Sequence, residues 1–291
     1  MYALALALLA TTPAQPPAKH EDQNPLYKGL LDPGLDAGGG VKAKFPAPSM
    51  PDGLAAAKQT EIIKGLIGTD YAYDEFTRKS VVAPQLLKIR DVAGGDPKAP
   101  VRGVDVWFVA HGDFKLLEDD KFLDKLTSAN KGSSGKGTPL KPADLAKRGI
   151  TLKPEDEKRE GYGTFEFDFL EKVRLSGTGH AMWSRNSESV VAAAEIDPRF
   201  LNDKDSPNQW RSITTAGGQK KVGPPNPWTG AAMYLKITKL QEPAGAVFIE
   251  QHIIFAEPTG WFDGANLLRS KLPAAVQINV RDMRKEFQKG K

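Results

Sequence analysis

The second half of the chain is a succession of strand-like segments, followed by a single long segment with helical spacing. Six segments of apolar or alternating residues lie between 164 and 256, and they are Thr164–Phe169, Val173–Arg185, Ser189–Ile196, Trp210–Thr214, Ala231–Leu240 and Ala246–Ala256. A sheet must cover its apolar face, and the C-terminal segment is the only long late element that can do so. We therefore expect an α+β fold in which a curved antiparallel sheet grips a long C-terminal helix.

The C-terminal segment has the apolar spacing of an amphipathic helix. The residues that recur at i, i+4, i+7 and i+11 are Val276, Val280, Met283 and Phe287. A strand over Ala274–Val280 is the alternative, but the apolar stripe continues to Phe287 and favours a helix. Pro273 predicts a kink or a break between Asn266–Lys271 and Pro273–Gln288. Arg284 and Lys285 belong to the charged end of this helix, where we expect exposed side chains.

The first half mixes helices and strands. Asp52 is a plausible N-cap for a helix that ends near Gly68, and Pro142 suits the first turn of a helix that ends at Gly149. Two further helices are predicted over Tyr71–Lys79 and Glu118–Ser128. The segments Leu86–Val92 and Val104–Ala110 read as two strands of a hairpin.

The N-terminus resembles a signal peptide. Met1–Ala10 is a short apolar run, and the small residues Thr12 and Ala14 suit cleavage before Gln15. No Lys or Arg precedes the run, so a mildly apolar terminal helix is the alternative. We predict a signal peptide over 1–14 and export to the periplasm, the cell envelope or the outside of the cell. The Pro- and Gly-rich stretch 15–50, which includes His20, predicts a tether or an extended arm, and 51–291 predicts one domain.

Composition excludes several classes of site. The chain has no cysteine, which excludes disulfides, thiolate metal sites and cysteine nucleophiles. Its 40 basic and 36 acidic residues give a net charge of only +4, and no long run of one sign appears. Nucleic-acid binding needs a concentrated basic face, so we expect no nucleic-acid partner. Standard catalytic, phosphate-binding and metal-binding motifs are absent, and we predict no cofactor and no metal. Arg281–Lys291 carries a net positive charge, which predicts peripheral contact with an anionic membrane or simply a solvated helix face.

The order of strands and helices over Pro84–Lys289 resembles that of START-type lipid-transfer domains and the wider helix-grip superfamily, and residues within Gly260–Phe287 add a local likeness. The residues that carry the resemblance are Gly260, Trp261, Phe262, Leu267, Leu268, Val276, Val280, Met283, Arg284 and Lys285. Asp263-Gly264 departs from the pattern, where a helix-starting proline is expected. The resemblance implies a hydrophobic tunnel between the sheet and the C-terminal helix. The candidate ligand-binding residues are Trp107, Leu268, Val276, Val280 and Met283.

Two pairs of polar residues suggest an alternative, catalytic use of the same fold. His111 and Asp113 lie two residues apart at a strand end, and Glu250 and His252 lie two residues apart within a predicted strand, so each pair shares a face. If the two strands are neighbours, the four side chains can form a carboxylate–histidine cluster suited to a metal or to general acid–base catalysis. A hydrogen-bonded structural role is the simpler interpretation of each histidine.

Three functions remain open at this point. The favoured one is an exported binding module for a hydrophobic or amphipathic small molecule. The second is a cyclase- or hydrolase-like enzyme that uses the four polar residues, and the third is a structural or interaction protein of the cell envelope. Fold alone does not separate them, because helix-grip scaffolds host both binding and catalysis.

Overall fold

The structure is a computed structural model that describes residues 18–38, 40, 42–96, 99–127, 136–153, 159–262 and 266–290. Within these residues, helices and antiparallel strands form an α+β structure whose long C-terminal helix packs on the sheet. The fold class predicted from the sequence is confirmed. The signal peptide predicted for 1–14 lies outside the described residues.

The helices and strands follow one another in the order helix pair, short strand pair, helix pair, and then mostly strands. The helices are α1 (His20–Gln23), α2 (Pro25–Leu31), α3 (Ala56–Ile67), α4 (Tyr73–Thr77), α5 (Asp120–Thr127), α6 (Pro142–Ala146) and α7 (Leu267–Lys289). The strands are β1 (Leu35–Asp36), β2 (Lys42–Ala43), β3 (Leu86–Asp96), β4 (Ala99–His111), β5 (Lys136–Pro139), β6 (Glu160–Phe169), β7 (Val173–Arg185), β8 (Ser189–Ile196), β9 (Gln209–Ala216), β10 (Gln219–Val222), β11 (Asn226–Pro227), β12 (Ala231–Lys239) and β13 (Ala246–Ala256). The predicted bounds of β7, β8 and β13 agree with the structure.

Strands β3 to β13 form one antiparallel sheet. Its central order is β7-β8-β12-β13-β4-β3, and β6 pairs along the other side of β7. The first part of β7 pairs with β9, and its last part pairs with β8 on the same side. Because side chains alternate between the two faces of a strand, this register decides which residues share a face.

The inner face of the sheet carries the main hydrophobic core together with α7. Buried residues of β4, β12 and β13 join buried residues of β7 and β9 in one cluster with Leu268, Leu272, Val280, Met283 and Phe287. Helix α7 packs most closely on β4 and shares this one core with residues of β7, β9, β12 and β13, so the sheet and α7 enclose a common core.

Helix α7 is continuous from Leu267 to Lys289. The alternative strand over Ala274–Val280 is therefore wrong, and Pro273 does not separate two helices. A proline inside a helix costs about 3 kcal/mol. Leu272 and Val280, on either side of Pro273, are both buried in the core, and this packing holds the helix together.

The N-terminal segment lies on the outer face of the sheet. Its apolar side chains pack on outward-facing residues of β4, β7, β8, β12 and β13, and the principal ones are Leu26, Tyr27, Leu30, Leu35, Ala43 and Phe45. The described part of 15–50 is thus an arm packed on the sheet and not a free tether. The division of the chain at 14 and 50 stays a prediction.

Helices α3 and α4 cover another part of the outer face. Ile63 and Ile67, one helical turn apart, pack with Phe76 against Trp107 and Phe248. The outer face is therefore covered by two different layers, the arm and the α3–α4 pair.

Arg284 is buried, contrary to the expectation for a charged residue near the chain terminus. Only 1% of its surface is exposed. Its guanidinium donates hydrogen bonds of 2.8, 2.6 and 2.8 Å to the carbonyl oxygens of Val109, Ala83 and Pro84. Burial lowers the pKa of Arg284 to about 10. The next residue, Lys285, is exposed as predicted, so the sequence alone did not separate the two neighbours.

Candidate functional site

The middle of the inner face is formed by two rows of residues that cross the central strands. The pairing register places in the first row Ala181, Ala194, Met233, Ile253, Val104 and Ile89. It places in the second row Trp183, Ala192, Leu235, Gln251, Val106 and Leu87. These two rows are called the floor below.

Most residues of the floor are partly exposed, although all of their strands except β3, at the edge of the sheet, have neighbours on both sides. Only Val104, Leu235 and Val106 are buried, whereas the other residues keep part of their surface exposed. A Cβ atom added to Gly161, the β6 neighbour of Ala181, would meet no atom within 4 Å. The floor therefore presents apolar surface to open space on the face that α7 grips.

An aromatic cluster closes one end of the floor. The ring of Trp261 stacks on that of Phe255 with centroids 5.9 Å apart, and Phe169 packs edge-on against it at 5.8 Å. Trp261 is 3% exposed, and its indole N–H has no hydrogen-bond partner among the described residues. Phe255 lies two residues beyond Ile253 on β13, so this cluster adjoins the first row.

Arg185 is the last residue of β7, at the end of the strand that lies away from the aromatic cluster. Its guanidinium lies 4.8 Å from the ring centroid of Trp183, which belongs to the floor. It also donates a hydrogen bond of 3.3 Å to the carbonyl oxygen of Glu118 and forms an ion pair of 3.6 Å with Asp120. Arg185 thus connects the floor to the segment that begins α5.

Four of the five predicted ligand-binding residues lie on the gripped helix. Leu268, Val280 and Met283 are buried in the inner core, and Val276 packs against it while partly exposed. Their contact with a ligand stays a prediction.

Trp107 lies on the outer face, so the prediction that it binds a ligand beneath α7 is wrong. Successive side chains of β4 alternate between faces, and Val106 and Phe108 are the neighbours that join the inner core. Trp107 instead packs edge-on against His252, with ring centroids 5.4 Å apart, and donates to the hydroxyl of Ser49.

The four-residue cluster of His111, Asp113, Glu250 and His252 does not form. Strands β4 and β13 are neighbours, but the register places His111 opposite Ala246, four residues from Glu250. The Nε2 atom of His111 lies 2.8 Å from the carbonyl oxygen of Thr77, and Asp113 caps the 3-10 helix that follows it. The structure brings together only Glu250 and His252.

His252 lies between two carboxylates beneath the arm. Its Nδ1 is 2.8 Å from Asp105 and its Nε2 is 3.5 Å from Glu250, and Arg90 donates to the other oxygen of Asp105 at 2.8 Å. Burial opposes the charged imidazole, but the hydrogen bonds to Asp105 and Glu250 raise the pKa of His252. Burial likewise opposes the Asp105 carboxylate, but His252 and Arg90 lower its pKa. Sequence analysis missed Asp105, although its β4 position opposite His252 follows from the register.

Glu250 and Lys236 bind the backbone of the arm. Glu250 is fully buried, and its carboxylate accepts hydrogen bonds from the N–H groups of Ser49 and Met50 at 2.7 and 3.2 Å. Lys236 is 4% exposed, and its Nζ lies 2.8 Å from both the carbonyl oxygen of Met50 and the carboxylate of Asp52. These buried charges therefore attach residues 49–52 to the sheet.

His20 fixes the start of the arm. Its two ring nitrogens lie 2.8 and 2.7 Å from the hydroxyls of Ser184 and Ser189, and Asp52 lies 3.6 Å away. Burial lowers the pKa of His20 to about 4, because the opposing effect of the Asp52 charge is smaller and Lys236 acts in the same direction as burial. The sequence placed His20 in a tether, whereas the structure buries it against β7 and β8.

The described residues offer little for a metal site or a membrane span, and they also form a depression outside the floor. No group of three or more His, Asp or Glu side chains among them is arranged to hold a metal ion. None of the described helices is long and apolar enough to cross a membrane. A depression of about 350 Å³ beside β6 and β7 is lined by Thr138, Thr164, Phe165, Glu166, Ser176, Gly177, Asp205, Ser206, Pro207 and Gln209. It shares no residue with the floor.

Comparisons with known proteins give distant structural likenesses only. No family model and no curated protein matches the sequence. The chain is similar to the human StarD13 (DLC2) lipid transfer and protein localization domain, with 9% identity over 80% of this chain and 98% of that chain and a TM-score of 0.39. A second likeness is to the S-type phycobiliprotein lyase CPES from Guillardia theta, with 11% identity over 60% of this chain and 85% of that chain and a TM-score of 0.13. Likenesses this distant show neither a family nor a function, and the α+β fold follows from the strand order and from the packing of α7.

Proposed function

We propose that this protein is a binding module that holds a hydrophobic or amphipathic small molecule against the floor, beneath α7. The observation that carries the proposal is the partly exposed apolar surface on the central strands of the inner face. Small-molecule sites are concave and mostly apolar, with few polar groups that fix orientation. The floor has this composition, because Gln251 is the one residue of the two rows whose side chain carries an amide, and no residue of the two rows carries a charge.

The energetic basis of the proposal is the removal of floor and ligand surface from water. Covering apolar surface gives about 25 cal/mol per Å². The alanines at 181, 192 and 194 leave room where larger side chains would fill the space. Met233 and Ile253 supply flexible and branched apolar contacts on the next two strands.

The polar cluster at Asp105, His252 and Glu250 favours a structural role over catalysis. Its carboxylates already accept hydrogen bonds from His252, Arg90 and the backbone of the arm. Glu250 and His252 are almost completely buried beneath that arm. A substrate would have to displace the arm to reach them.

We further propose that binding takes place outside the cytoplasm. The support is the apolar run Met1–Ala10 followed by small residues at Thr12 and Ala14. N-terminal sequencing of protein recovered from the extracytoplasmic fraction tests this point, and a mature chain that begins at Gln15 is the expected result. A full-length chain in the cytoplasm would end the proposal of export and leave the binding proposal untouched.

Binding is tested with the fluorescent probe N-phenyl-1-naphthylamine. We expect saturable fluorescence enhancement with the unaltered protein and at least about tenfold weaker binding by Ala194→Trp, because the indole would occupy the space above the floor. The matched control is Ala57→Trp, an exposed alanine on α3, which should bind as the unaltered protein does.

Two results would contradict the proposal. One is the absence of saturable binding by the unaltered protein, which would favour an interaction role in the cell envelope. The other is equal loss of binding in both tryptophan variants, which would place the probe elsewhere. Mass spectrometry of small molecules that co-purify with the protein then identifies the natural ligand.

A further inference from the structure

Gln251 is a polar residue in the middle of the apolar floor. It lies on β13 between Leu235 of β12 and Val106 of β4, and its strand neighbours on the same face are Ile249 and Ile253. Its side chain is partly exposed, so a molecule above the floor can reach it. A leucine or valine would fit the pattern of this face better, so the amide is the exception that needs an explanation.

The amide of Gln251 is not used inside the described part of the protein. Its side chain makes no hydrogen bond or other polar contact with any described residue. Polar groups on such a face are normally paired, because an unpaired amide in apolar surroundings costs free energy. The donor and the acceptor of this amide are thus both free for a ligand.

Other unpaired polar groups on the inner face are less suited to a ligand. The indole N–H of Trp261 is enclosed by aromatic rings at one end of the floor. Arg185, at the opposite end of β7, lies outside the two rows of the floor and is held by Glu118 and Asp120, although its Nε and Nη2 atoms have no hydrogen-bond partner among the described residues. Gln251 is the group that a molecule lying across the floor would meet first.

We propose that Gln251 binds an uncharged polar group of the ligand, such as a hydroxyl, a carbonyl or an amide, and so selects neutral amphipathic molecules. The proposal rests on the proposed function, because it requires a ligand on the floor. Among the described residues of the two rows there is no charged side chain, so an ionised carboxylate or phosphate placed there would remain unpaired. Burying an unpaired charge is far more costly than burying a hydroxyl.

The test uses three probes with the same ring system, namely naphthalene, 1-naphthol and 1-naphthoate, each titrated at pH 7 by its own fluorescence. For the unaltered protein we expect 1-naphthol to bind tighter than naphthalene, and 1-naphthoate to bind weakest. In Gln251→Leu, 1-naphthol should lose about 2- to 12-fold in affinity, the range of one neutral hydrogen bond. Naphthalene should bind to this variant as well as before or better.

The matched control is Gln277→Leu, the same chemical change at an exposed position on α7, which should alter none of the three affinities. Gln251→Met is a second variant of similar size, should the leucine variant fail to fold. Equal effects of Gln251→Leu on naphthalene and 1-naphthol would overturn the role of Gln251, as would tightest binding of 1-naphthoate. Failure of all three probes to bind the unaltered protein would instead overturn the proposed function itself.

Discussion

The two faces of the large sheet distribute polar and apolar residues in opposite ways. On the outer face, charged residues such as Glu250 and Lys236 are buried beneath the arm. On the inner face, apolar residues such as Met233 and Ile253 are partly exposed. Soluble proteins usually bury apolar side chains and expose charged ones. The reversal teaches that buried charges hold the arm on the outer face, whereas the middle of the inner face keeps apolar side chains partly exposed, which is the observation behind the proposed binding function.

The largest expected effect is the difference in stability loss between truncations of two residues of β12 that point to opposite faces. Lys236→Ala should lower the free energy of unfolding by about 3–5 kcal/mol, because the carbonyl oxygen of Met50 and the carboxylate of Asp52 lose the ammonium group that pairs with them. Met233→Ala should cost only about 1 kcal/mol or less, since a partly exposed side chain loses little on truncation. Urea denaturation measures both. Similar losses in the two variants would contradict the contrast between the faces.

The next effect concerns the attachment of α7 over the inner face. Arg284→Ala should cost about 2–4 kcal/mol, because three buried carbonyl groups lose a charged donor. Lys285→Ala, one residue further on, should change stability by no more than about 0.5 kcal/mol, as is usual for exposed positions. Thermal and urea unfolding of the pair test the difference, and a harmless Arg284→Ala would show that this end of α7 is not anchored.

Acid should loosen the outer face through His20. Its folded-state pKa of about 4 lies below its ordinary value of 6.5, so the unfolded chain takes up the proton first as the pH falls. Stability should therefore fall by about 2–3 kcal/mol between pH 6.5 and pH 4.5. His20→Asn should abolish most of this slope, and His180→Asn serves as a control at a less buried histidine. An unchanged slope in His20→Asn would show that the burial of His20 does not control it.

Burial also lowers the pKa of His111, so its contribution to stability is lost as the pH falls, in the same direction as that of His20, whereas three other groups act in different pH ranges. The pKa of His252 is raised, so its contribution is complete below the ordinary value and is lost as the pH rises through the raised one. The pKa values of Asp105 and Asp52 are lowered, so their contributions are lost only as the pH falls through those lowered values. The difference in slope between the unaltered protein and His20→Asn from pH 6.5 to pH 4.5 is therefore what reports on His20.

The smallest effects come from two adjacent alanines of β8. Ala193 points to the outer face and is 1% exposed, whereas Ala192 belongs to the partly exposed floor. Ala193→Ser should cost about 1–3 kcal/mol, because the new hydroxyl is buried without a partner. Ala192→Ser should cost within about 0.5 kcal/mol, because its hydroxyl can reach water. A larger cost at Ala192 than at Ala193 would mean that the floor is closed to solvent.

Local spacing was sufficient to predict most of the regular structure. The alternation in β7, β8 and β13 and the stripe from Val276 to Phe287 each reflect one face packed on a core. The arm was harder to predict, because its helices are too short to show a helical pattern of apolar residues. Its anchoring side chains, such as His20, also pair with residues more than 160 positions away. Pairing of that kind depends on tertiary structure and leaves no local pattern.

The site was predicted only in part, because a register is needed to place residues of different strands. Glu250 and His252 share a strand and were correctly placed together, but His111 required the offset between β4 and β13. The sequence could have predicted which face Trp107 occupies, because its side chain must point away from those of its neighbours Val106 and Phe108. Gln251 also had a local signal, a polar residue in phase with Ile249 and Ile253.

The alanines of the floor have a consequence for how this protein can change. Space created by small side chains on a regular strand ladder does not depend on a bent backbone or on a special loop. One substitution at 181, 192 or 194 can thus enlarge or fill the space, while the strand hydrogen bonds and the arm on the other face stay as they are. Under the proposed function, the length and width of the bound molecule can therefore change through single substitutions in β7 and β8.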